Sequence, residues 1–191
     1  MRTGSQPYRL SVYLTTGTGA KTYGWNVYAN YASLDTEERE VFASGGAQNM
    51  LFTQVQKSVG SGSKIQELNF NHPIKYLAAG GSNLGILDPA NKLKLQINGT
   101  DIADYKFADP NFSSVPLYYH TSNSSVRGSK LFFVPFCLDA AKLQPTGTLN
   151  FSRLDSARIQ STAQDFGDSI YAVNYNVLRV ENGMCGLLYS N

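Results

Sequence analysis

The feature that most constrains the fold of this chain is a two-residue alternation near its C-terminal end, in residues 170–180. Large side chains alternate there with small or polar ones: Tyr171, Val173, Tyr175 and Val177 against Ala172, Asn174 and Asn176. Successive side chains of a β-strand point to opposite faces of a sheet, so this pattern predicts a strand with one buried face. A denser apolar run at residues 129–138 predicts a strand that is buried on both faces.

Six further segments have strand-like patterns, which brings the predicted number of strands to eight. These segments lie near residues 8–14, 24–33, 48–57, 64–78, 92–98 and 148–160. The strand near 92–98 ends at Asn98-Gly99, a pair that is typical of tight hairpin turns. Eight short strands with long connections and no internal repeat favour an all-β fold, an eight-stranded antiparallel jelly-roll sandwich. We expect it to form a single domain over residues 1–191.

One short helix is predicted after residue 35. Asp35 is suited to cap its N-terminus, and Glu38 stands three residues later, as in a capping box. Gly45 and Gly46 end the helical pattern. The acidic residues of this segment are therefore interpreted as capping and solvated groups rather than as paired catalytic carboxylates.

The chemistry-bearing residues do not form a recognisable catalytic or ligand-binding pattern. The two histidines, His72 and His120, are far apart in the sequence, and no serine stands in a nucleophile-elbow motif. The glycine-rich stretch at residues 15–22 lacks the spacing of a phosphate-binding loop and leads into a strand-like segment. We therefore expect no enzymatic activity, no metal and no cofactor.

Charge and hydropathy narrow the possible partners. A formal net charge of +2 without any run of basic residues argues against nucleic-acid binding. No apolar run is long enough to span a bilayer, and the first residues lack the apolar centre of a signal peptide.

Without such a signal, the sequons at Asn98, Asn111, Asn123 and Asn150 are not strong glycosylation candidates, although the sequence leaves their state open. The redox state of Cys137 and Cys185 is open too, and two reduced thiols are the simpler interpretation.

Residues 100–128 are rich in Asn, Ser and aromatic side chains, and the sequence predicts a long loop there. Aromatic residues supply much of the binding energy of protein interfaces. We therefore expect Phe112, Tyr118 and Tyr119 to take part in contacts between subunits. At the other end of the chain, the turn at residues 183–186 is expected to fold residues 187–189 back beside the strand that ends at Val180.

Four stretches of the sequence, in the same order, resemble one protein family. They are SLDTEEREVFA at residues 33–43, LNFNHPIKYL at 68–77, PTGTLNFSRLDSARI at 145–159 and IYAVNYNVLRVENGMCGLLYSN at 170–191. The family is the major capsid protein of nucleocytoplasmic large DNA viruses, the group that contains phycodnaviruses, iridoviruses, asfarviruses and mimivirus relatives. The resemblance is to the C-terminal of the two jelly rolls in such proteins.

The resemblance implies a structural virion protein that assembles, as homotrimeric capsomers that contact neighbouring capsomers, into an icosahedral shell. It also implies possible minor capsid protein partners, assembly in the host cytoplasm, and neither nucleic-acid binding nor membrane insertion. Two alternatives come from other functional classes. A jelly-roll module that binds glycans or a receptor on a virion surface would need a ligand groove, and a cupin-type enzyme would need clustered histidine and carboxylate ligands.

Overall fold

The computed structural model describes residues 33–80, 88–122, 131–181 and 184–189. The chain divides into two compact units, residues 1–41 and 42–191. The strands predicted near residues 8–14 and 24–33 lie outside the described residues, except for Ser33. Everything stated below about the sheets concerns the second unit.

The first helix, α1 (Thr36–Ser44), begins where the sequence predicts it. The N–H of Thr36 donates to the Asp35 carboxylate at 2.7 Å, and the N–H of Asp35 donates to the Glu38 carboxylate at 3.2 Å. These two bonds satisfy N–H groups that have no partner within the helix. Half of the predicted capping box is present: Glu38 reaches back to the Asp35 N–H, whereas the Asp35 carboxylate accepts the N–H of Thr36 rather than that of Glu38.

Eleven strand segments follow in the described residues. In chain order they are β1 (Gln48–Ser58), β2 (Ile65–Glu67), β3 (Pro73–Gly80), β4 (Lys92–Ile97), β5 (Thr100–Asp101), β6 (Lys106–Phe107), β7 (Leu131–Pro135), β8 (Leu149–Asn150), β9 (Ala157–Ser161), β10 (Ile170–Glu181) and β11 (Met184–Leu187). Two short helices, α2 (Ala108–Asn111) and α3 (Ser114–His120), lie between β6 and β7.

The strands form two antiparallel sheets. The larger has the order β1-β10-β3-β7, with β11 also paired to β10 and β8 also paired to β3. The smaller has the order β2-β9-β4-β5, with β6 also paired to β4. The longest pairing joins β1 to β10 along their whole common length, from Gln48 opposite Val180 to Ser58 opposite Ile170. The prediction of an all-β fold with two antiparallel sheets is therefore confirmed.

The core lies between the two sheets. Ile74 and Leu77 of β3 and Ile170 of β10 are fully buried on the larger sheet, and Leu93 and Ile159 are fully buried on the smaller one. These side chains belong to one continuous apolar cluster. The sheets therefore pack face to face, and the alternation along each strand separates core side chains from outward ones.

Two of the predicted strands are divided. The Asn71-His72-Pro73 sequence predicts a break within residues 64–78, and the chain does break there: β2 and β3 lie in different sheets, and His72 has φ of 69°. Residues 148–160 form β8, a 3-10 turn at Phe151–Arg153, and β9. The side chain of Asn150 accepts the N–H of Ser152 at 3.1 Å, which curls the chain out of the larger sheet.

The connection between β6 and β7 also differs from the prediction of a long loop. α3 is a helix in addition to the single helix that the sequence predicted, whereas α2 is an irregular turn, since Asp109 within it has extended φ and ψ of −101° and 129°. Ser113 precedes α3, and Pro116 stands in its first turn, where its missing N–H costs no helical hydrogen bond.

One irregularity interrupts the centre of the larger sheet. Ile74 pairs with Asn174 and Tyr76 pairs with Val173, so Lys75 is an extra residue in β3. Such a bulge shifts the alternation by one position. It explains why Ile74 and Leu77 both face the core although three positions separate them.

The C-terminal segment folds back beside β10 as predicted, with Cys185 opposite Val180, but residues 184–186 belong to β11 rather than to the predicted turn. Beyond β11, the side-chain amide of Asn176 donates to the carbonyl of Tyr189 at 2.9 Å and accepts the N–H of Tyr189 at 3.3 Å. Leu187, Leu188 and Tyr189 nevertheless remain exposed. Hydrogen bonds rather than deep burial therefore hold this segment.

Candidate functional site

The best candidate for a functional surface is the segment α2–α3, which contains the three aromatic residues singled out in the sequence. Phe112, between the helices, stacks on Phe132 of the core with ring centroids 6.2 Å apart and planes 9° apart. Its carbonyl also accepts the N–H of Phe133 at 2.8 Å. Phe112 is therefore an anchor within its own domain, whereas Tyr118 and Tyr119 are exposed.

Helix α3 has one buried and one exposed side. Leu117 is 1% exposed, whereas Tyr118 is 58% exposed and Tyr119 is 73% exposed. The two tyrosine rings meet edge to face, with centroids 5.2 Å apart and planes 87° apart. This is a favourable geometry for aromatic rings, so the rings form one projecting unit, called here the aromatic pair.

The C-terminal end of α3 is tied to the connection that follows β7. The His120 ring nitrogen Nδ1 lies 2.8 Å from the carbonyl oxygen of Cys137, and the Ala140 N–H donates to the carbonyl of His120 at 2.8 Å. The Thr121 hydroxyl donates to the carbonyl of Leu117 at 2.6 Å. Together with the Phe112 anchor, these bonds hold the helix at both ends. His120 thus has a structural environment rather than a catalytic one.

An apolar hollow of about 300 Å³ lies between α3 and the outward face of β3 and β7. Tyr76 and Ala78 of β3, Leu131 and Phe133 of β7, Leu117 and Ala141 are among its lining residues. Small side chains at Ala78 and Ala141 leave the space open. Burial raises the pKa of the Tyr76 hydroxyl, and the nearby Cys137 raises it further.

Beside this hollow, the outward face of the larger sheet buries a lysine. Lys75 is 3% exposed, its ammonium donates to the carbonyl of Lys142 at 2.5 Å, and it lies 5.5 Å from the Tyr175 ring centroid. The Tyr175 hydroxyl is buried and has no hydrogen-bond partner among the described residues. Burial raises the pKa of Tyr175 and also that of the Cys137 thiol. Lys75 thus fastens the connection after β7 onto the sheet.

The described residues contain no group of three or more His, Cys, Asp or Glu side chains placed to hold a metal ion. His72 lies at the kink before β3, where its N–H donates to the Ser152 hydroxyl at 2.8 Å. Cys137 is buried, Cys185 is exposed, and both are free. None of the helices in the described part of the chain is long and apolar enough to cross a membrane.

Comparison with known proteins identifies the family. A family model described as the large eukaryotic DNA virus major capsid protein matches residues 79–186, which include most of both sheets and the whole of α3. The chain belongs to this capsid protein family. The predicted resemblance is therefore confirmed, and the family is one of structural virion proteins.

Individual capsid proteins extend the match toward both ends of the chain. The major capsid protein of Pyramimonas orientalis virus is 34% identical over 204 residues, covering 91% of this chain and 51% of that protein. The major capsid protein of Paramecium bursaria Chlorella virus 1 is 30% identical over 251 residues, covering 91% of this chain and 55% of that protein. A solved structure of the PBCV-1 virus capsid matches with a TM-score of 0.64 and 26% identity, covering 83% of this chain and 55% of that one.

The chain spans about half the length of the curated relatives it matches. The alignment of 251 residues is also longer than this chain of 191 residues, so the Chlorella virus protein contains insertions within the matched region. This chain is therefore shorter than that protein within the matched region.

No sequence pattern indicated the hollow, the buried lysine or the packing of Phe112 on Phe132. Ser113 and Pro116 are a usable signal for the start of α3, and the position of Leu117 then predicts its buried side. No comparable signal marks the hollow or Lys75, because both depend on contacts between residues far apart in the sequence.

Proposed function

We propose that the chain is a shell-forming domain that associates as homotrimeric capsomers, which contact neighbouring capsomers in an icosahedral capsid. Membership of the capsid protein family is the observation that carries this proposal. The relatives are named major capsid proteins in viruses of different hosts. The proposal includes assembly in the host cytoplasm and possible contacts with minor capsid proteins, with neither catalysis nor nucleic-acid binding.

The fold that supports this role is, in our proposal, an eight-stranded jelly roll. Successive major strands alternate between the two sheets, since β1, β3, β7 and β10 lie in the larger sheet and β2, β4 and β9 in the smaller one. The short β5 and β6 both pair with β4 and together stand for the eighth strand. This assigns all eight strands to the unit that begins at Phe42.

The chain corresponds, in this proposal, to the second of two jelly rolls in a longer type of capsid protein. Coverage of about half of each relative supports that view. The aromatic pair, Tyr118 and Tyr119, is the proposed subunit contact, because exposed aromatic rings held on an anchored helix lose little conformational freedom on binding.

The mass of the particles formed in solution tests the proposal. We expect sedimentation equilibrium of the 191-residue chain to show reversible association with increasing concentration, and a longer gene product containing a preceding jelly roll to form trimers. A chain that stays monomeric in both forms at high concentration would contradict a shell-forming role. A saturable glycan complex of the monomer would instead favour a receptor-binding module.

A further inference from the structure

The aromatic pair and the hollow lie on the same short helix, one on each side of it. Leu117 contributes to the hollow, and the next two residues, Tyr118 and Tyr119, point outward. α3 is held at both ends by Phe112 and His120, so these two features keep a fixed relative position. The helix therefore carries a projecting apolar group and an apolar recess together.

The chemistry of the hollow restricts what it can accept. Its lining is dominated by apolar side chains such as Leu131, Phe133 and Ala78. A polar or charged group placed there would lose its hydration without gaining hydrogen bonds, which is unfavourable. An aromatic ring with a polar tip suits the site, because the ring fills apolar space while its hydroxyl reaches toward the opening.

We propose that the hollow beneath α3 receives the Tyr119 ring of a second copy of this chain. The inference rests on the proposed function, since it names the surface on which the aromatic pair of a neighbouring subunit docks. Contacts that place an aromatic anchor in a desolvated pocket dominate the energy of protein interfaces. Because each copy carries both the ring and the recess, the contact joins two different surfaces and repeats from copy to copy, and it closes in a ring where the rotation between copies allows.

Two substitutions in the full 191-residue chain separate the two sides of the contact. Tyr119→Ala removes the ring, and Ala78→Leu fills the hollow from β3 while the ring stays in place. We expect each to raise the dissociation constant of self-association at least about tenfold in sedimentation velocity. Tyr119→Phe and the exposed-surface control Val55→Ser should leave it within about twofold.

Mixing the two variants gives the decisive test. The Tyr119→Ala copy retains an open hollow, and the Ala78→Leu copy retains its ring, so an equal mixture should form heterodimers with close to the wild-type affinity. Neither variant alone should do so, and the mixture should not grow beyond dimers. An Ala78→Leu chain that associates like the wild type, or a mixture without rescue, would overturn the proposal.

Further measurements keep the outcomes distinct. Ala141→Leu fills the hollow from the other side and replaces Ala78→Leu if that variant loses its β-sheet circular dichroism spectrum.

If Tyr119→Ala weakens association but neither filling variant does, the hollow is not the receiving surface, while the proposed shell-forming role stands. If toluene raises the melting temperature of the wild type yet leaves association unchanged, the hollow is a site for small apolar molecules and the proposal fails. A monomeric wild-type chain would remove the proposed function first.

Discussion

The outward faces of the two sheets differ in the side chains they carry and in what lies over them. On the larger sheet, Tyr76, Phe133 and Tyr175 lie under α3 and the connection that follows β7. On the smaller sheet, Lys92 and Lys94 point outward and lie 4.9 Å and 4.7 Å from the ring centroids of Phe107 and Tyr105. The first face is apolar and is covered around Tyr76, Phe133 and Tyr175, although Val55 and Tyr171 on the same face remain exposed. The second face carries charged groups at its outward positions.

The difference shows that strand alternation alone does not decide whether an outward face is covered by other parts of the chain or exposed to water. Both sheets place every second residue away from the core. On the larger sheet, Tyr76 and Phe133 lie beneath α3, which removes apolar surface from water. On the smaller sheet, the ammonium groups of Lys92 and Lys94 lie over the rings of Phe107 and Tyr105, and that of Lys94 also donates to the Asp101 carboxylate.

The largest expected effect comes from removing the cover of the larger sheet. Leu117→Ala should lower the free energy of unfolding by about 2–5 kcal/mol, because it deletes a fully buried side chain next to an existing hollow. Urea unfolding measures this change. The neighbouring Tyr119→Ala is the matched control and should change stability by no more than about 0.5 kcal/mol. Similar losses for both variants would mean that the exposed side of α3 also belongs to the domain core.

A smaller effect is expected from the lysines that distinguish the two faces. Lys75→Ala should lower the free energy of unfolding by about 1.5–3 kcal/mol, since it removes a buried charged hydrogen bond to Lys142 and a contact with the Tyr175 ring. Lys94→Ala, on the solvated face, should have a smaller effect that decreases further in 1 M salt. Equal, salt-sensitive losses for the two variants in urea unfolding would remove the contrast between the faces.

The smallest expected effect is the titration of Asp101. The hydrogen bond from the Lys94 ammonium, 2.9 Å away, lowers the pKa of the Asp101 carboxyl and raises that of Lys94. A lowered folded-state pKa means that this pair stabilises the fold above the ordinary carboxyl range and that the contribution is lost as pH falls through the lowered pKa. NMR titration should show the Asp101 pKa rising toward its ordinary value in Lys94→Met and in high salt. An unchanged pKa in both would show that the contact is absent in solution.

The sequence predicted the elements whose signals are local. The alternation along residues 170–180 predicted β10, the Asn98-Gly99 pair predicted the turn after β4, where both residues have positive φ, and Asp35 with Glu38 predicted the start of α1. Four stretches that resemble capsid proteins predicted the family. In each case, the residues that decide the structure are neighbours in the chain.

The parts that were not predicted depend on distant partners. In the sequence, Phe112 looks like an exposed loop aromatic, because its packing partner Phe132 lies twenty positions later. The strand near residues 148–160 breaks because Asn150 bonds to Ser152, although Phe151 continues the apolar pattern. The hollow needs β3, β7 and α3 together before it exists. The pattern of neighbouring residues carries no information about such contacts between distant parts of the chain.

The extra residue in β3 sets how the central strands of the larger sheet align. Without Lys75, residues Ile74, Tyr76 and Leu77 would keep their present faces in a regular strand, whereas a slip of β3 along β10 by one residue would turn every one of them to the opposite face. The carbonyl of Lys75 is also held by the N–H of Phe136 at 2.9 Å. The bulge thus fixes the alignment of the two central strands, because the pairs on both sides of Lys75 match β10 in a single register.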